Sequence, residues 1–484
     1  MRFSVKRMSA AATYVNPRVV EAQYAVRGLI PTRADALKAK LAAGEPLPFK
    51  ELIYCNIGNP QALKQQPLSF NRQVMALVDA PMLLDNEAVV AALPADVVAR
   101  AKEYLSKIGG KTGAYTDSIG YDWARKAVSD FIAKRDGTAE GPAIGDVVLT
   151  DGASTGVRLA MTTLLAGPED GVLIPIPQYP LYTAQIALLN GSCAMYYLDE
   201  SAGWAIPTVD LTRGIDTLKH KGATPRMLVV INPGNPTGQV LTRETMVDVV
   251  KFCYHNELLL LADEVYQENI YSTTKHFHSF RKVILGMEAP YNTTKCISLH
   301  STSKGIIGEC GRRGGYFEML NIPHALKEQL LKMCSINLCS NVNGQVMTAL
   351  MCTPPAETDA SYASFHKEYT TIFESLKARA VHLAQELNTI TGVTCNPVEG
   401  AMYAFPRIRL PANYAAHNDA LNHANGTNIA VDARWALELL EETGIVVVPG
   451  SGFLQQEGTL HFRTTILPPA EQMEHMTAAI RGFM

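Results

Sequence analysis

Lys295-Cys296-Ile297-Ser298-Leu299-His300 is an apolar, β-prone run that gives way at once to Ser301-Thr302-Ser303-Lys304-Gly305. A run of that composition and length is a buried strand ending where the hydroxyls begin. Lys304 then stands just past a strand end between small polar residues, and Arg312 follows eight positions later, ahead of Arg313-Gly314-Gly315. An amine, hydroxyls and a guanidinium gathered there suit covalent chemistry beside an anion pocket. Pyridoxal phosphate needs both, because its aldehyde condenses with a lysine amine and its phosphate requires hydroxyls, N–H groups and a cation. An ordinary exposed loop can also read Ser-x-Ser-Lys, so the reading depends on the rest of such a site occurring elsewhere in a usable order.

Six further apolar runs alternate with helical patterns. Residues 147–150 lead into Asp151-Gly152-Ala153-Ser154-Thr155 and a helix to about 165; 172–176 lead into Pro177-Gln178-Tyr179-Pro180; 194–198 follow. Residues 227–231 run into Asn232-Pro233-Gly234-Asn235-Pro236-Thr237-Gly238, 258–262 into Asp263-Glu264-Val265-Tyr266, and 315–319 complete the set. Near-continuous apolar strands separated by helices make a mainly parallel sheet covered on both faces. The expected fold class is therefore α/β with a mainly parallel seven-stranded sheet. Ligands of such sheets bind beyond the carboxyl ends of strands, and the polar clusters lie there.

The flanking regions differ in character. Residues 15–110 are helix-rich, with 17–44 read as ordered helix, and are interrupted by Tyr54-Cys55-Asn56-Ile57-Gly58-Asn59-Pro60, a tight turn in which Gly58 brings backbone close to a ligand. Tyr115-Thr116-Asp117-Ser118 is expected at the start of a helix that places Trp123, Ala127, Val128, Phe131 and Ile132 on one face and stops at Gly137. Beyond about 330 the pattern turns to long helices and a smaller α+β unit. There Phe373, Leu376, Ala380, Leu383 and Leu387 form a helical stripe. Residues 398–405 read as a strand, 411–429 as a polar Asn-rich surface insertion, 432–442 as a helix, and 460–463 as the last strand.

Bulk properties narrow the function classes. A net charge of −3 with no long basic run gives no footprint for nucleic acid. The longest apolar runs are strand-sized, far short of the roughly twenty residues that span a bilayer. Nine cysteines without a C-x-x-C pair point to reduced thiols in an intracellular compartment. The closest cysteine pair, Cys334 and Cys339, has no histidine at zinc-ligand spacing near it, and His276, His278, His417 and His423 read as solvated loop histidines, so no metal is expected. Arg2, Lys6, Arg7 and Arg18 precede the first acid at Glu21. That pattern is compatible with a mitochondrial presequence, but a cytosolic start packing as an arm is the preferred reading.

The site is read residue by residue. Gly152-Ala153-Ser154 joins a strand to a helix N-terminus, where free N–H groups and the positive dipole end suit a phosphate. With Ser301, Ser303 and Arg312 available, Ala153 and Ser154 are taken as phosphate ligands, though Ser154 alone could be a cap. Asp263 after an apolar strand is costly unless paired. Facing a pyridine nitrogen, it keeps the ring protonated and makes it an electron sink; otherwise it caps the next helix. Tyr266 and Asn235 are donors to the ring's 3′-oxygen, with Asn232 the rival by composition. Tyr179 is set to stack on the ring. Arg463, among apolar neighbours, has a fork that matches a substrate α-carboxylate. Lys304, Asp263 and Tyr179 are the catalytic candidates, and Gly58, Asn235 and Arg463 the substrate-binding ones.

Taken in order, Gly-Ala-Ser, Pro-x-Tyr-Pro, Asn-Pro-x-Asn-Pro-Thr-Gly, Asp-x-x-Tyr, Ser-x-Ser-Lys with Arg312, and a C-terminal Phe-Arg resemble the fold-type I aminotransferases. Within them, Ser301–Gly305 with Gly308-Glu309-Cys310-Gly311 and Arg313-Gly314-Gly315-Tyr316 resemble the alanine aminotransferases (glutamate–pyruvate transaminases). Asn56–Pro60 and Val448-Pro449-Gly450-Ser451-Gly452-Phe453 fit that family too, so the resemblance spans nearly the whole chain. It implies an arm and part of a small domain in 1–110, a large cofactor domain in 111–340 and a small domain in 341–484. It also implies a homodimer in which Tyr115 reaches the neighbour's cofactor phosphate. The implied reaction moves nitrogen from L-alanine to 2-oxoglutarate in a ping-pong sequence. The alternatives are an aminotransferase of the aromatic or kynurenine type, or a lyase. Neither G-x-G-x-x-G nor a P-loop follows a strand, which argues against a nucleotide-binding dehydrogenase.

Overall fold

The computed structural model describes residues 15–22 and 28–484. After a short strand β1 (Ile53–Tyr54), the chain forms β2 (Val147–Thr150), β3 (Asp170–Ile176), β4 (Ser192–Tyr197), β5 (Thr224–Ile231), β6 (Leu259–Asp263), β7 (Cys296–Ser301) and β8 (Gly315–Leu320). These last seven make one sheet in the order β2-β8-β7-β6-β5-β3-β4. Neighbours are parallel except at β8, which runs antiparallel to both β2 and β7. All seven expected strands are present, displaced by at most a few residues at their ends.

The apolar composition has a direct structural reason. Every residue of β2, β3, β6, β7 and β8 is buried, because helices cover both faces. Alternate residues go to opposite sides: Met227, Val229, Leu259 and Leu261 join one core, and Leu228, Val230, Leu260 and Ala262 the other. A third core lies where Val147, Leu149 and Tyr316 meet the helices Ser69–Asp79, Ala95–Lys107, Asp122–Asp136 and Val342–Cys352. The last of these helices lies past the expected boundary at residue 340, yet packs on the large sheet.

The smaller unit contains β9 (Val393–Thr394), β10 (Tyr403–Ala404), β11 (Arg407–Ile408), β12 (Ile445–Val446), β13 (Val448–Pro449) and β14 (Phe462–Thr465). They form the sheets β11-β9 and β10-β14-β13, while β12 pairs in parallel with β1. The helix Tyr362–Asn388 buries Leu376, Ala380, Leu383 and Leu387, the stripe read from the sequence.

Three local expectations need correction. The run 398–405 is a strand only at Tyr403–Ala404. Before it, Gly400 N–H and Ala401 N–H donate to Gly238 O and Asn269 O, with Ala401 at φ +60°, so tertiary bonds to the large unit override strand propensity. The polar stretch 411–429 contains the helix Tyr414–Asn425, closed by left-handed Gly426; Asn418 and Asn422 donate to Ile429 O, so the asparagines tie down the loop that follows. Tyr115–Ser118 is not at a helix start, since that helix begins at Asp122. In the N-terminal region the described helices are Pro17–Glu21 and Leu29–Ala42. Arg2, Lys6 and Arg7 lie outside the described residues.

A charge cluster is buried behind β6. Arg135 grips Asp136 at 2.8 and 3.0 Å and donates to Gln267 at 2.9 Å. Arg281 donates to Glu318 at 2.8 Å, and Glu264 accepts the Phe280 N–H at 2.8 Å. Two guanidiniums face three carboxyls, so one proton balances the set. Burial, reinforced by Asp136 and Glu318, pushes Glu264 up to about 8 against the pull of Arg135 and the Phe280 N–H. An unfolded glutamate titrates near about 4.3. The folded chain therefore holds a proton that the unfolded chain has lost, and the associated stability is full below about pH 4 and fades as pH rises through about 8. The melting temperature should fall between pH 6 and 8.5, and Glu264→Gln should flatten that fall, being about 5 °C more stable at the alkaline end. Thermal melts across this range check it; parallel pH profiles for the two proteins would refute the assignment. Glu268, raised by burial to about 7, adds a slope in the same sense.

Candidate active site

The strand ends beyond β2, β3, β5, β6 and β7 meet at a cavity of about 460 Å³. Its floor is set where β2 gives way to Gly152, at φ +81°, and the helix Ala153–Leu164 begins. The first N–H groups of a helix have no partner within it, and Ala153 and Ser154 line the cavity. A Cβ at Gly152 would fall 2.7 Å from Arg313 Nη2, so glycine lets the guanidinium lie against the turn.

Opposite, β7 ends at Ser301, and Ser303 and Lys304 follow into the lining. Arg313 completes this corner: it donates to Asp151 O at 2.6 Å and reaches Ser303 Oγ at 3.4 Å and Ser154 Oγ at 3.5 Å. This corrects the expectation for Arg312, which does not line the cavity and instead approaches Glu309 at 3.9 Å. The turn Cys310–Arg312 followed by left-handed Arg313 makes the difference, because adjacent side chains leave such a turn in different directions. Counting along the sequence cannot separate two neighbouring arginines.

Asp263, the last residue of β6, is buried and accepts a 2.5 Å hydrogen bond from the Tyr182 hydroxyl. Burial raises its pKa, against the Tyr182 hydrogen bond, the Val265 N–H and the Lys304 charge. Tyr179, Tyr266 and Asn235 also line the cavity. Asn232 turns away, accepting the Leu241 N–H at 3.0 Å to close its loop.

The roof comes from distant parts of the chain. Arg463 in β14 is buried, donates to Asn235 Oδ1 at 3.1 Å and Asn56 O at 2.6 Å, and keeps an Nε without a protein partner. Its guanidinium lies 4.2 Å from the Tyr403 ring centre and 4.8 Å from that of Phe453. Gly58 O accepts from Lys304 Nζ at 2.9 Å. A Cβ on Gly58 would fall 1.8 Å from Tyr403 Oη, so no other residue fits under that hydroxyl. Burial pushes the Tyr403 phenol up, but Lys304, Arg463 and a hydrogen bond with Tyr266 bring it below its ordinary value. Of the charged lining residues, Lys304, Arg313 and Arg463 are cations and Asp263 alone is an anion, a balance suited to an anionic ligand.

Residues 82–480 match the family model described as aminotransferase class I and II. The chain belongs to this family. Among relatives of the aminotransferase, the probable alanine aminotransferase, mitochondrial, of Dictyostelium discoideum is 50% identical, covering 96% of this chain and 87% of that protein. Glutamate–glyoxylate aminotransferase 1 of Arabidopsis thaliana is 45% identical, covering 97% and 94%. Among solved structures, an alanine aminotransferase from Pyrococcus furiosus superposes with a TM-score of 0.76 at 23% identity, covering 97% of this chain and 99% of that one. This establishes the fold-type I aminotransferase fold.

In this aminotransferase, Tyr115 is 79% exposed and does not line the cavity of its own chain. The lining or contacting residues that the sequence reading does not place in the site include Arg313, Tyr182 and Tyr403. Tyr182 and Tyr403 sit in apolar stretches where a tyrosine usually packs as core. The left-handed Ala401 just before Tyr403 is a backbone feature that sequence reading does not expose. Among the described residues, no helix is long and apolar enough to cross a membrane, and none of their His, Cys, Asp and Glu side chains cluster as metal ligands.

Proposed function

We propose that this aminotransferase moves the amino group of L-alanine to 2-oxoglutarate, giving pyruvate and L-glutamate, with pyridoxal 5′-phosphate as cofactor. The observation that carries the reading is the meeting of Lys304, Asp263 and Arg463 at one cavity. The near-full-length relatives named alanine aminotransferase support it. The donor set fits the cofactor. Ser154, Ser301, Ser303 and Arg313 surround a helix N-terminus that suits a phosphate. Asp263 is a buried carboxylate in need of a cation, which a protonated ring nitrogen supplies.

When bound, the cofactor supplies a carbonyl to take the amino nitrogen and a ring to accept electrons from the substrate's α-carbon. The chain's own residues do the rest. Arg463 holds the α-carboxylate through its fork, oriented by Asn235 and Asn56 O. Lys304, as a free amine, would take the proton from the substrate's α-carbon and deliver it to the cofactor's carbonyl carbon. Asp263, fixed by Tyr182, keeps the ring nitrogen protonated, while Tyr266 and Asn235 donate to the ring oxygen and Tyr179 covers the ring face. Asn235 has its oxygen occupied by Arg463, so the group left to it is a donor. Tyr403 packed over Gly58 forms one wall of this cavity. The γ-carboxylate of glutamate must find a cation in the same cavity.

The protein is further read as a homodimer in which exposed Tyr115 reaches the neighbour's phosphate, and as cytosolic, with mitochondria the alternative. All nine cysteines are unpaired, which suits a reducing compartment. A glyoxylate acceptor is a second reading, favoured by the Arabidopsis relative. The deciding experiment is the visible spectrum of the purified, cofactor-loaded protein. L-alanine should shift the band from about 400–430 nm toward about 330 nm and 2-oxoglutarate should reverse it. Reversal by glyoxylate alone would favour the second reading, a shift with aromatic amino acids or kynurenine but not alanine would move the assignment to those donors, and pyruvate-free breakdown would indicate a lyase.

A further inference from the structure

The loop that carries Gly58 is fastened to the loop that carries Lys304. Gln61 Nε2 donates to Gly308 O at 3.1 Å and Gln65 Nε2 to Ile306 O at 2.8 Å. Arg72, on the next helix, grips Glu309 with two bonds, Nε to Oε1 at 2.6 Å and Nη2 to Oε2 at 3.0 Å, and Nη2 also reaches Gln61 Oε1 at 2.8 Å. Glu309 is buried, and its own N–H donates to Thr302 O at 2.8 Å, two residues before the lysine. Gly308 permits the contact: at φ +59° it is left-handed, and a Cβ there would lie 2.8 Å from Gln65 Nε2 and 3.1 Å from Pro60 Cβ. Arg312, displaced from the cavity, adds a second positive charge 3.9 Å from Glu309. At the other end of the same loop stands the 2.9 Å bond from Lys304 Nζ to Gly58 O.

Between Ile57 and the helix at Ser69 the only regular structure is the short turn Gln61–Leu63. Such a segment, left to itself, would have to be ordered each time a small ligand bound beneath it, at a cost in affinity. We propose that the Arg72–Glu309 pair is a positioning device for the amino donor, holding the Ile57–Asn59 wall of the cavity at a fixed distance from Lys304 before the donor arrives. The inference rests on the aminotransferase reading above. Neither residue lines the cavity; both act through Gln61 and the backbone of the two loops. The pair acts as a lever because a buried carboxylate that loses its bidentate partner is strongly unfavourable and must move or take up water.

The test uses full-length, cofactor-loaded protein with Arg72→Met, Glu309→Gln and the double substitution. The KM for L-alanine should rise roughly tenfold in each single variant, with kcat within about twofold. The double variant should be no worse than the poorer single one, since both remove the same link. Amide exchange should quicken over residues 59–66 while β6 stays protected. Arg72→Lys, which keeps one bond, should recover part of the KM. A fall in kcat at unchanged KM, or faster exchange without a change in KM, would overturn the proposal, because a purely structural pair would behave in those ways. Should a variant fail to fold, Gln61→Leu and Gln65→Leu break the same fastening at half-buried, uncharged positions and carry the same expectations. Wild-type protein without alanine turnover would count against the functional reading instead. Exchange over 59–66 would then decide the clamp, and unchanged rates in the variants would reject it.

Discussion

Lys304→Ala should leave a folded protein that has lost amino transfer, with turnover lower by about 10⁴-fold or more. The structural part of this expectation follows from its surroundings. Lys304 lies in a loop past the end of β7, and its amine makes one hydrogen bond, to Gly58 O. Losing that bond costs about 1 kcal/mol, which a chain of this size tolerates. The chemical part follows from what remains. Among the lining residues, no other amine is present to take up the α-proton, and a guanidinium offers donors but no acceptor. Lys304→Arg should fail equally for that reason, despite keeping the charge. Steady-state assays paired with thermal melts provide the check, and residual turnover above a few per cent with an unchanged melt would remove Lys304 from its role.

The second large effect belongs to Arg463→Lys. The guanidinium is held from several sides at once, by Asn235 Oδ1, Asn56 O and the rings of Tyr403 and Phe453. An ammonium cannot reproduce a planar fork in that slot, nor stack between rings in the same manner. A buried charge-assisted bond is worth about 1.5–3 kcal/mol. The expected loss in kcat/KM is therefore about 10–100-fold for L-alanine and also for glutamate, since both present the same α-carboxylate. Equal losses for the two amino acids are the signature of an α-carboxylate clamp. A variant that loses glutamate but keeps alanine would move Arg463 to side-chain recognition.

Much of the sheet and the cavity was legible because both depend on local patterns. Fully buried parallel strands read as unbroken apolar runs, and several polar residues at or just past their carboxyl ends line the cavity. Asp263, Lys304 and Asn235 could be located in this way. What could not be read are features set by tertiary contact. Which of Arg312 and Arg313 faces the cavity depends on a single left-handed residue. The hydroxyl on Asp263 comes from Tyr182 on a short, largely apolar helix. Tyr403 follows a turn imposed by Asn269 and Gly238, and propensity could not see past the β-like composition of 398–405. The helix at 414–425 was concealed by asparagines whose side chains serve the next loop, not the helix itself.

The pairing of β1 with β12 has a consequence for how the protein comes into being. Asn56 receives its bond from Arg463, Cys55 O accepts from Thr465 N–H, and Ile53 lies against Ile445, so the roof of the cavity joins segments separated by about four hundred positions. Closing a loop of that size carries an entropic cost repaid only when both partners exist. During synthesis the Gly58 segment leaves the ribosome early but has no strand to pair with until residue 446 has emerged, and no carboxylate clamp beside it until residue 463 has followed. The cofactor-side half of the cavity, drawn from residues 151–313, is free to form first. The carboxylate clamp is therefore completed only when the two ends of the polypeptide meet.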